Sequence, residues 1–314
     1  IDEMGIVEVD RSIPRFKLLR SLPRLRRKIL SARPDTVVAF MHSAYVPVAV
    51  SLFRSDVKLV LSEHTSAAHY KNRPLQRIAA HFALSFAVAK TVPSNAVQAE
   101  HSVARQSKIH VLPNPVNLTG SQRGVCRIET QKNIVLSVGG FRLEKDHRTL
   151  IDAFARLAPD FPNWRLRLVG DGELRSVIET QICRRELKKN VSLAGWQRDV
   201  VAEYKAASFV VVPSQYEAFG LVTAEALAYG RPVVSFASCA GSCELIEHGI
   251  NGLLASEIPD RVTSLARSMK TLMSDQALRD KLARNAAASI SQFGLNNVVT
   301  AWEDFLTEHA RPPT

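Results

Sequence analysis

Two glutamates with seven residues between them, Glu217 and Glu225, flank the start of a predicted helix. Gly220 comes directly before that helix, and good helix formers begin at Leu221. Backbone N–H groups at a helix start have no partner within the helix and form a ready anion site. Because a carboxylate accepts hydrogen bonds from hydroxyl groups, the pattern predicts a ligand with a phosphate between two sets of hydroxyls. A nucleotide sugar has this chemistry.

A strand, a tight loop and a helix must position these groups. The apolar run Phe209–Val212 predicts a buried parallel strand, and Pro213 cannot continue it. The helix that begins at Leu221 is expected to end at Gly230, shortly before Pro232. The loop between strand and helix therefore carries the candidate chemistry.

The string P-S-x-x-E-x-F-G-L-x-x-x-E-A-x-A-x-G-x-P-V-V at residues 213–234 resembles the signature of family 4 of the retaining glycosyltransferases. The resemblance implies the GT-B fold: α/β, with two Rossmann-like parallel-sheet domains facing a cleft. It implies that Glu217 binds hydroxyls of the donor sugar and Glu225 those of the ribose. It also implies that the diphosphate meets the N–H groups of Phe219, Gly220 and Leu221. An ordinary buried βα unit of another doubly wound enzyme remains the alternative.

A second phosphate-binding pattern follows the strand-like run Ile134–Val138. Gly139 and Gly140 form a glycine turn before a basic loop and a helix, as in a Rossmann-like unit. The family usually has arginine at the position of Gly140 and lysine five residues later, and both cations contact the donor diphosphate. Lys145 matches the lysine. The nearest replacement for the arginine is Arg142, which either reaches the diphosphate from a displaced position or lies on the surface.

Two further turns in the same half resemble parts of the family's nucleotide site. Strand-like residues 164–169 precede a turn with Asp171, which the resemblance places against the nucleotide. Residues 191–197 form another predicted strand and turn, in which Trp196 either stacks on the base or wedges between helices. Later strand-like runs at 233–236 and 251–254, and a helical run at 261–288, complete this domain.

The first part of the chain also alternates between strand and helix patterns, which predicts a parallel sheet. Strand-like runs are 36–41, 57–61, 87–92 and 109–112, and helical runs are 45–53, 75–86 and 94–105. Ligands gather at the carboxyl ends of such strands. His64 follows the second run and resembles the family's active-site histidine; a structural histidine is the alternative. Glu63 either orients His64 or faces solvent, and His42 is a weaker candidate.

The domain boundaries follow from composition and from the resemblance. We expect a partial first domain at 1–118, a polar linker at 119–130, a nucleotide-sugar-binding domain at 131–292 and a helix at 293–314 that packs back towards the first domain. A strand-like run already stands at residues 6–9. The family's opening βαβ segment with its glycine-rich loop is not found before it. We therefore expect the sequence to be N-terminally incomplete.

The chain of 314 residues has a net charge of +11, and nearly all of the excess lies in its first part. Residues 1–130 carry 19 Lys and Arg against 9 Asp and Glu. The densest segments, 15–20 and 24–30, alternate basic with aliphatic residues and predict an amphipathic helix broken near Pro23. Such a helix can lie on an anionic membrane surface, or it packs on its own sheet with a solvated basic face. A nucleic-acid partner is not expected, because no aromatic–basic platform accompanies the charge.

Metal or cofactor chemistry is not indicated. The cysteines, Cys126, Cys183, Cys239 and Cys243, show no metal-site spacing and are expected to be reduced thiols. No Asp-x-Asp motif is present, so the charge of a leaving diphosphate must be met by Lys145 and the backbone N–H groups.

The family that the sequence resembles retains anomeric configuration. Retention fits front-face attack, in which a donor phosphate oxygen takes the acceptor proton. Glu217 as a covalent nucleophile is the minority alternative.

The family resemblance and these patterns together imply a retaining hexosyl- or N-acetylhexosaminyl-transferase for cell-surface polysaccharide assembly, with Glu217, His64 and Lys145 as its catalytic residues. The donor would be a UDP- or GDP-sugar, and the acceptor a glycan or a polyprenyl-diphosphate-linked glycan. We expect a cytoplasmic protein, with peripheral contact to the inner face of the plasma membrane as an open possibility. The alternatives are a non-catalytic nucleotide-sugar-binding module and a sugar-nucleotide epimerase of similar fold.

Overall fold

The computed structural model describes residues 15–102, 106–118 and 133–310. Its contacts divide the chain into two compact units. Unit 1 comprises Ile1–Pro113 and Val299–Thr314, and unit 2 comprises Asn114–Val298.

Several predicted features lie outside these described residues. They are the strand at 6–9, the linker at 119–130, the end of the helix predicted at 94–105, the side chains of 15–20 and Cys126.

Unit 1 contains a four-stranded parallel sheet in which each strand pairs with the next along the chain. Its strands are β1 (Thr36–Phe40), β2 (Lys58–Ser62), β3 (Ala89–Val92) and β4 (Ile109–Val111). β1 and β2 are in register with Thr36 opposite Lys58 and Phe40 opposite Ser62. The sheet therefore brings residues 41 and 63 to one carboxyl edge.

The helices of unit 1 pack beside this sheet. They are α1 (Arg15–Ser31), α2 (His42–Ser51), α3 (Pro74–Phe86) and α4 (Asn95–Ala99), with a 3₁₀ turn at Ala67–Tyr70. The predicted break near Pro23 is wrong, because α1 continues through it. Proline removes one helical hydrogen bond. Ile29 is buried in the core of unit 1 and Leu25 packs against it partly buried, and this apolar contact opposes the loss of that bond.

Unit 2 contains a six-stranded parallel sheet with the order β10-β9-β8-β5-β6-β7. Its strands are β5 (Ile134–Val138), β6 (Arg165–Val169), β7 (Val191–Gly195), β8 (Phe209–Val212), β9 (Val233–Phe236) and β10 (Gly252–Ala255). Counted from β5, this is the doubly wound 3-2-1-4-5-6 order. The direction of winding reverses between β5 and β8, so the switch point lies between these two strands.

Helices cover both faces of this sheet. They are α5 (His147–Leu157), α6 (Arg175–Arg184), α7 (Val201–Ala206), α8 (Leu221–Ala228), α9 (Ala240–Leu245), α10 (Arg261–Ser274) and α11 (Gln276–Ser289). The helical run predicted at 261–288 is divided in two at Asp275. The Asp275 side chain accepts a hydrogen bond from the Leu278 N–H at 2.8 Å and starts α11 as its N-cap.

The last helix, α12 (Leu295–Ala310), begins in unit 2 and from Val299 onwards belongs to unit 1. Within unit 1 its Trp302 and Phe305 join a core cluster with Val60 and Leu112.

The helices of the described residues include no candidate for a membrane span, because none combines the necessary length with sufficient hydropathy. Both predicted parallel sheets are thus confirmed.

Candidate active site

The switch point of unit 2 brings together the two loops that the sequence singled out. The glycine turn follows β5 at Gly139, and the loop with Glu217 follows β8 at Pro213. Because β5 and β8 are parallel neighbours, both loops leave the same edge of the sheet. In open α/β sheets this crevice is where ligands bind.

Lys145 and Glu217 form an ion pair across these loops. Lys145 Nζ lies 2.6 Å from Glu217 Oε1, and the Ser214 hydroxyl donates to the same oxygen at 2.8 Å. The Gln215 N–H also donates to the Glu144 carbonyl oxygen at 2.8 Å, which ties the two backbones together. Both charged side chains are half-buried, so the pair is partly shielded from solvent.

A neutral histidine lies directly beneath the lysine loop. His147 is buried, and burial together with the nearby Lys145 charge lowers its pKa to about 4. It therefore adds no charge beside Lys145 at neutral pH. Its ring stands edge-on to Phe141 at 5.1 Å and supports the loop by packing.

Close backbone approach sets the geometry of the glycine turn. A Cβ on Gly170 would stand 2.0 Å from the Gly139 carbonyl oxygen, so no other residue fits there. The Phe141 N–H donates to the Asp171 carbonyl oxygen at 3.0 Å across the same contact. The turns after β5 and β6 therefore pack against each other as one unit.

Gly220 begins α8 in the left-handed conformation, with φ of 87°. Among the residues that the structure describes, no side chain caps this helix start, so its first N–H groups remain suited to an anion. On the other side of the loop, the Gly241 N–H donates to the Glu217 carbonyl oxygen at 3.1 Å. A Cβ on Gly241 would lie 2.6 Å from that oxygen, so the loop rests directly on the start of α9.

Glu225 lies one turn inside α8 and accepts a hydrogen bond from the Tyr204 hydroxyl at 2.8 Å. Burial raises the pKa of Glu225, and the bond from Tyr204 opposes that rise. Tyr204 is itself buried and stacks on Tyr229, with ring centroids 5.6 Å apart. The sequence analysis missed Tyr204, because its contact with Glu225 arises only when α7 and α8 meet.

Arg142 occupies the space beside Gly140. Its Nε lies 3.7 Å from the position that a Cβ on Gly140 would take. The guanidinium group thus folds back over the site where the family usually has arginine. Arg142 is also exposed, so its position agrees with both the displaced-cation and the surface interpretation.

Asp171 and Trp196 both face outward at this edge of the sheet. Asp171 is exposed and accepts a hydrogen bond from Arg175 at 2.9 Å. The sequence analysis missed Arg175. Trp196 is 73% exposed, which excludes the wedge between helices and leaves its ring open for stacking. Leu221 is also exposed, whereas Phe219 is buried edge-on against Phe293 at 5.3 Å.

His64 lies at the carboxyl edge of the sheet in unit 1. Its Nε2 is 3.0 Å from the Ser62 hydroxyl, and its ring stacks on Phe40 at 5.6 Å. Trp302 lies behind Phe40, with centroids 5.9 Å apart. The ring is thus held between a strand and an aromatic platform. His42, the weaker candidate, is half-buried against His69, and burial lowers its pKa.

Glu63 does not face solvent. It is 1% exposed, and its carboxylate accepts hydrogen bonds from the hydroxyls of Tyr45, Tyr70 and Thr65. Lys90 Nζ lies 3.8 Å away. Burial alone would raise the pKa of Glu63, but the Lys90 charge and these hydrogen bonds outweigh it and hold the pKa below its usual value.

Two family descriptions together match most of the chain. The description "Glycosyl transferases group 1" matches residues 120–289, and "Glycosyltransferase Family 4" matches residues 6–119.

Two curated relatives illustrate these matches. An exopolysaccharide phosphotransferase of Streptomyces coelicolor is 39% identical over 159 residues, which cover 50% of this chain and 17% of that protein. An α-1,4-N-acetyl-D-galactosaminyltransferase of Campylobacter jejuni, named for an undecaprenol-linked acceptor, is 24% identical over 90% of this chain and 77% of its own.

Solved structures show the same fold. HepE of Anabaena in complex with UDP-glucose superposes with a TM-score of 0.80 at 27% identity, covering 96% of this chain and 85% of HepE. This likeness confirms the predicted GT-B fold class. With a family description that matches more than half of its residues, the chain belongs to the group 1 glycosyl transferases and is a glycosyltransferase.

Proposed function

We propose that this glycosyltransferase transfers a hexosyl or N-acetylhexosaminyl residue from a nucleotide sugar to a glycan or lipid-linked acceptor, with retention of anomeric configuration. The observation that carries the proposal is the Lys145–Glu217 ion pair at the switch point of unit 2. It stands beside the uncapped start of α8, with Glu225 one turn further on. This arrangement offers donors to a diphosphate and acceptors to sugar hydroxyls.

Lys145 and the N–H groups of Phe219, Gly220 and Leu221 would stabilise the leaving diphosphate. Arg142 adds a second cation from its position over Gly140. Donors that are fixed before the reaction stabilise developing charge without reorganisation, and loss of one typically costs about 2.7–4 kcal/mol of barrier. Gly139 and Gly140 let the phosphates approach the backbone closely.

The two glutamates divide the hydroxyl groups between them. Glu225 would bind the ribose, and Glu217 would bind the transferred sugar while keeping Lys145 oriented. Trp196 offers an open ring for stacking on the base, and Asp171 lies at the same edge. A deoxy analogue of the sugar would leave the carboxylate without its hydrogen-bond partner. The site should therefore discriminate strongly against that analogue.

We propose UDP-sugars rather than GDP-sugars as the first donors to test. The support comes from HepE, whose structures contain UDP and UDP-glucose and whose sequence is 27% identical over 96% of this chain. The hydrogen-bond donors and cations of unit 2 suit the diphosphate of UDP and that of GDP equally well. Direct comparison of UDP and GDP affinities decides between them.

Retention would follow from attack on the face that the diphosphate leaves. The bond from the anomeric carbon to the diphosphate oxygen breaks, the bond to the acceptor oxygen forms, and the acceptor proton passes to a phosphate oxygen. In this scheme no side chain becomes covalently attached. His64, positioned by Ser62 and Phe40, is proposed as the catalytic residue on the acceptor side.

The acceptor is proposed to be a cell-surface glycan or its polyprenyl-diphosphate-linked precursor, reached at an anionic membrane surface from the cytoplasmic side. The names of the Streptomyces and Campylobacter relatives point to exopolysaccharide and to an undecaprenol-linked glycan. The excess of positive charge in residues 1–130 suits such a surface.

The test is calorimetry with UDP and UDP-sugars, followed by a transfer assay that detects release of UDP with lipid-linked acceptors. Glu225→Ala should abolish detectable donor binding and transfer while the protein stays folded. Glu247→Ala, which removes an exposed glutamate of unit 2, is the matched control and should behave as wild type. Unchanged turnover in Glu225→Ala would overturn the site assignment, and binding without transfer would favour a non-catalytic module.

A further inference from the structure

The outer side of α3 carries a stripe of apolar side chains that the core does not use. Leu75, Ile78 and Phe82 are 80%, 64% and 51% exposed, and Phe86 continues the same line. Their spacing of three and four residues places them on one side of the helix. Ala83 and Leu84, on the opposite side, are buried in the core of unit 1.

Phe53, just after α2, extends the stripe into a continuous surface. Its ring stands edge-on to Phe86 at 5.5 Å, and Phe86 stands edge-on to Phe82 at 4.8 Å. Phe53 is itself about half exposed. We call the surface formed by Phe53, Leu75, Ile78, Phe82 and Phe86 the apolar face.

Cations border the apolar face. The Arg54 guanidinium lies over the Phe53 ring at 5.6 Å, and Arg77 is exposed beside Ile78. Arg26 of α1 donates to the Phe53 carbonyl oxygen at 3.1 Å, which fixes α1 next to the apolar face. The sequence of α1 contains no Asp or Glu, and its Arg27 and Lys28 are exposed.

Apolar rings with a basic border fit an anionic lipid surface. Aromatic and aliphatic side chains settle at the boundary between headgroups and acyl chains, and nearby Lys and Arg attract the lipid phosphates. A second copy of the chain fits poorly, because the two basic borders would repel each other. Contiguous exposed apolar surface of this kind usually marks an interaction site.

We propose that unit 1 docks on anionic membranes through the apolar face of α3, with the rings of Phe53, Phe82 and Phe86 entering the interface. The proposal rests on the proposed function in one respect, because a lipid-linked acceptor is what makes docking useful. The apolar face belongs to unit 1, whereas the proposed donor-binding residues belong to unit 2. Its test therefore needs no turnover.

Flotation with vesicles of phosphatidylcholine and phosphatidylglycerol measures the docking. The variant with Leu75→Ser, Ile78→Ser and Phe82→Ser should partition at least ~100-fold more weakly than wild type, because each large side chain kept out of the interface costs roughly a factor of ten or more. Vesicles of phosphatidylcholine alone should bind wild type far less. Val177→Ser, which alters an exposed apolar residue on α6 of unit 2, is the matched control and should leave partitioning unchanged.

Calorimetry with UDP on the same variants separates this proposal from the donor site. The triple variant should keep the UDP affinity of wild type, and Glu225→Ala should keep the vesicle binding of wild type. Wild-type-like flotation of the triple variant would overturn the proposal. So would light scattering that shows a wild-type dimer dispersed to monomers by the three substitutions, since the apolar face would then bind a second copy.

Discussion

Glu225, which is half-buried, and Glu63, which is buried, both accept hydrogen bonds from tyrosine hydroxyls, yet their environments shift their pKa values in opposite directions. Glu225 in unit 2 has Tyr204 as its partner, and burial raises its pKa. Glu63 in unit 1 has Lys90 and several hydroxyls around it, and its pKa falls below the usual value. Glu225 is therefore suited to accept further hydrogen bonds from the hydroxyls of a ligand. The carboxylate of Glu63 already binds groups of the fold itself.

Glu225→Gln should lose donor affinity without losing stability. A carboxylate whose pKa is raised by folding costs stability once the pH exceeds its unfolded pKa of about 4.3, and glutamine has no such cost. At neutral pH the variant should therefore unfold at the same or a higher temperature than wild type. In wild type, donor affinity should fall as the pH decreases through the raised pKa of Glu225. Calorimetry across pH and thermal melts check both statements, and a pH-independent affinity would contradict them.

Glu63→Ala should destabilise unit 1 by about 3–5 kcal/mol, because it leaves Lys90 buried beside tyrosines with its main counter-charge removed. Since folding lowers the pKa of Glu63, its stabilisation is complete above the unfolded pKa and is lost as the pH falls through the folded value. Denaturant unfolding at several pH values measures this. The double variant with Lys90→Met should recover part of the loss, whereas simple additivity of the two substitutions would argue against a coupled pair.

The sequence predicted site roles for Lys145, Glu217, Glu225 and His64, because their positions after strand ends and glycines match the motifs of the family that the sequence resembles. It could not identify Tyr204 or Arg175 as partners, since their contacts depend on which helices meet in the folded unit. The burial of Glu63 could not be predicted from the sequence either. A glutamate beside a histidine at a strand end is usually solvated, and only the packing of Tyr45 and Tyr70 buries it.

At the level of elements, the start of α9 sets the shape of the loop that carries Glu217 between β8 and α8. A Cβ on Gly241 would press within 2.6–2.8 Å of the backbone of Glu217, Ala218 and Phe219. Gly241→Ala should thus displace the loop, break the Lys145–Glu217 pair and reduce UDP affinity by at least ~10-fold, the equivalent of about 1.4 kcal/mol.

The control for Gly241→Ala is Gly249→Ala. Gly249 has φ of 80°, but no atom of the described residues lies within 4 Å of an added Cβ. Its substitution should cost about 1 kcal/mol of stability through backbone strain and leave UDP affinity unchanged. Equal loss of affinity in both variants would show that general destabilisation, rather than loop displacement, is responsible.

Strands were predictable from short buried apolar runs. Within the described residues, the nine strand-like runs from 36–41 to 233–236 each overlap one of the strands β1–β9. Helix ends were harder to predict. Pro23 suggested a break that packing against α2 overrides, and Asp275 divides a run whose composition is helical throughout. In both cases a single residue's local preference competes with tertiary contacts, and the sequence does not show which prevails.

For the whole molecule, each unit encloses its own core. The proposed donor-binding residues lie in unit 2, whereas His64 lies in unit 1. UDP should therefore protect amides of unit 2 against hydrogen exchange, most strongly in the turns after β5 and β8. At a concentration 100 times its Kd, UDP should stabilise unit 2 by about 2.7 kcal/mol. Protection confined to unit 1 would contradict the assignment of the donor site.

The pairing of β5 with β8 also has a consequence for the order in which the protein forms during synthesis. β5 leaves the ribosome about 70 residues before its central neighbour, so the middle of the sheet must wait for a contact that is distant along the chain. Lys145 emerges long before Glu217, and the two loops meet only when β8 takes its place. The nascent chain can therefore form the proposed donor-binding crevice only after residue 220 has cleared the exit tunnel.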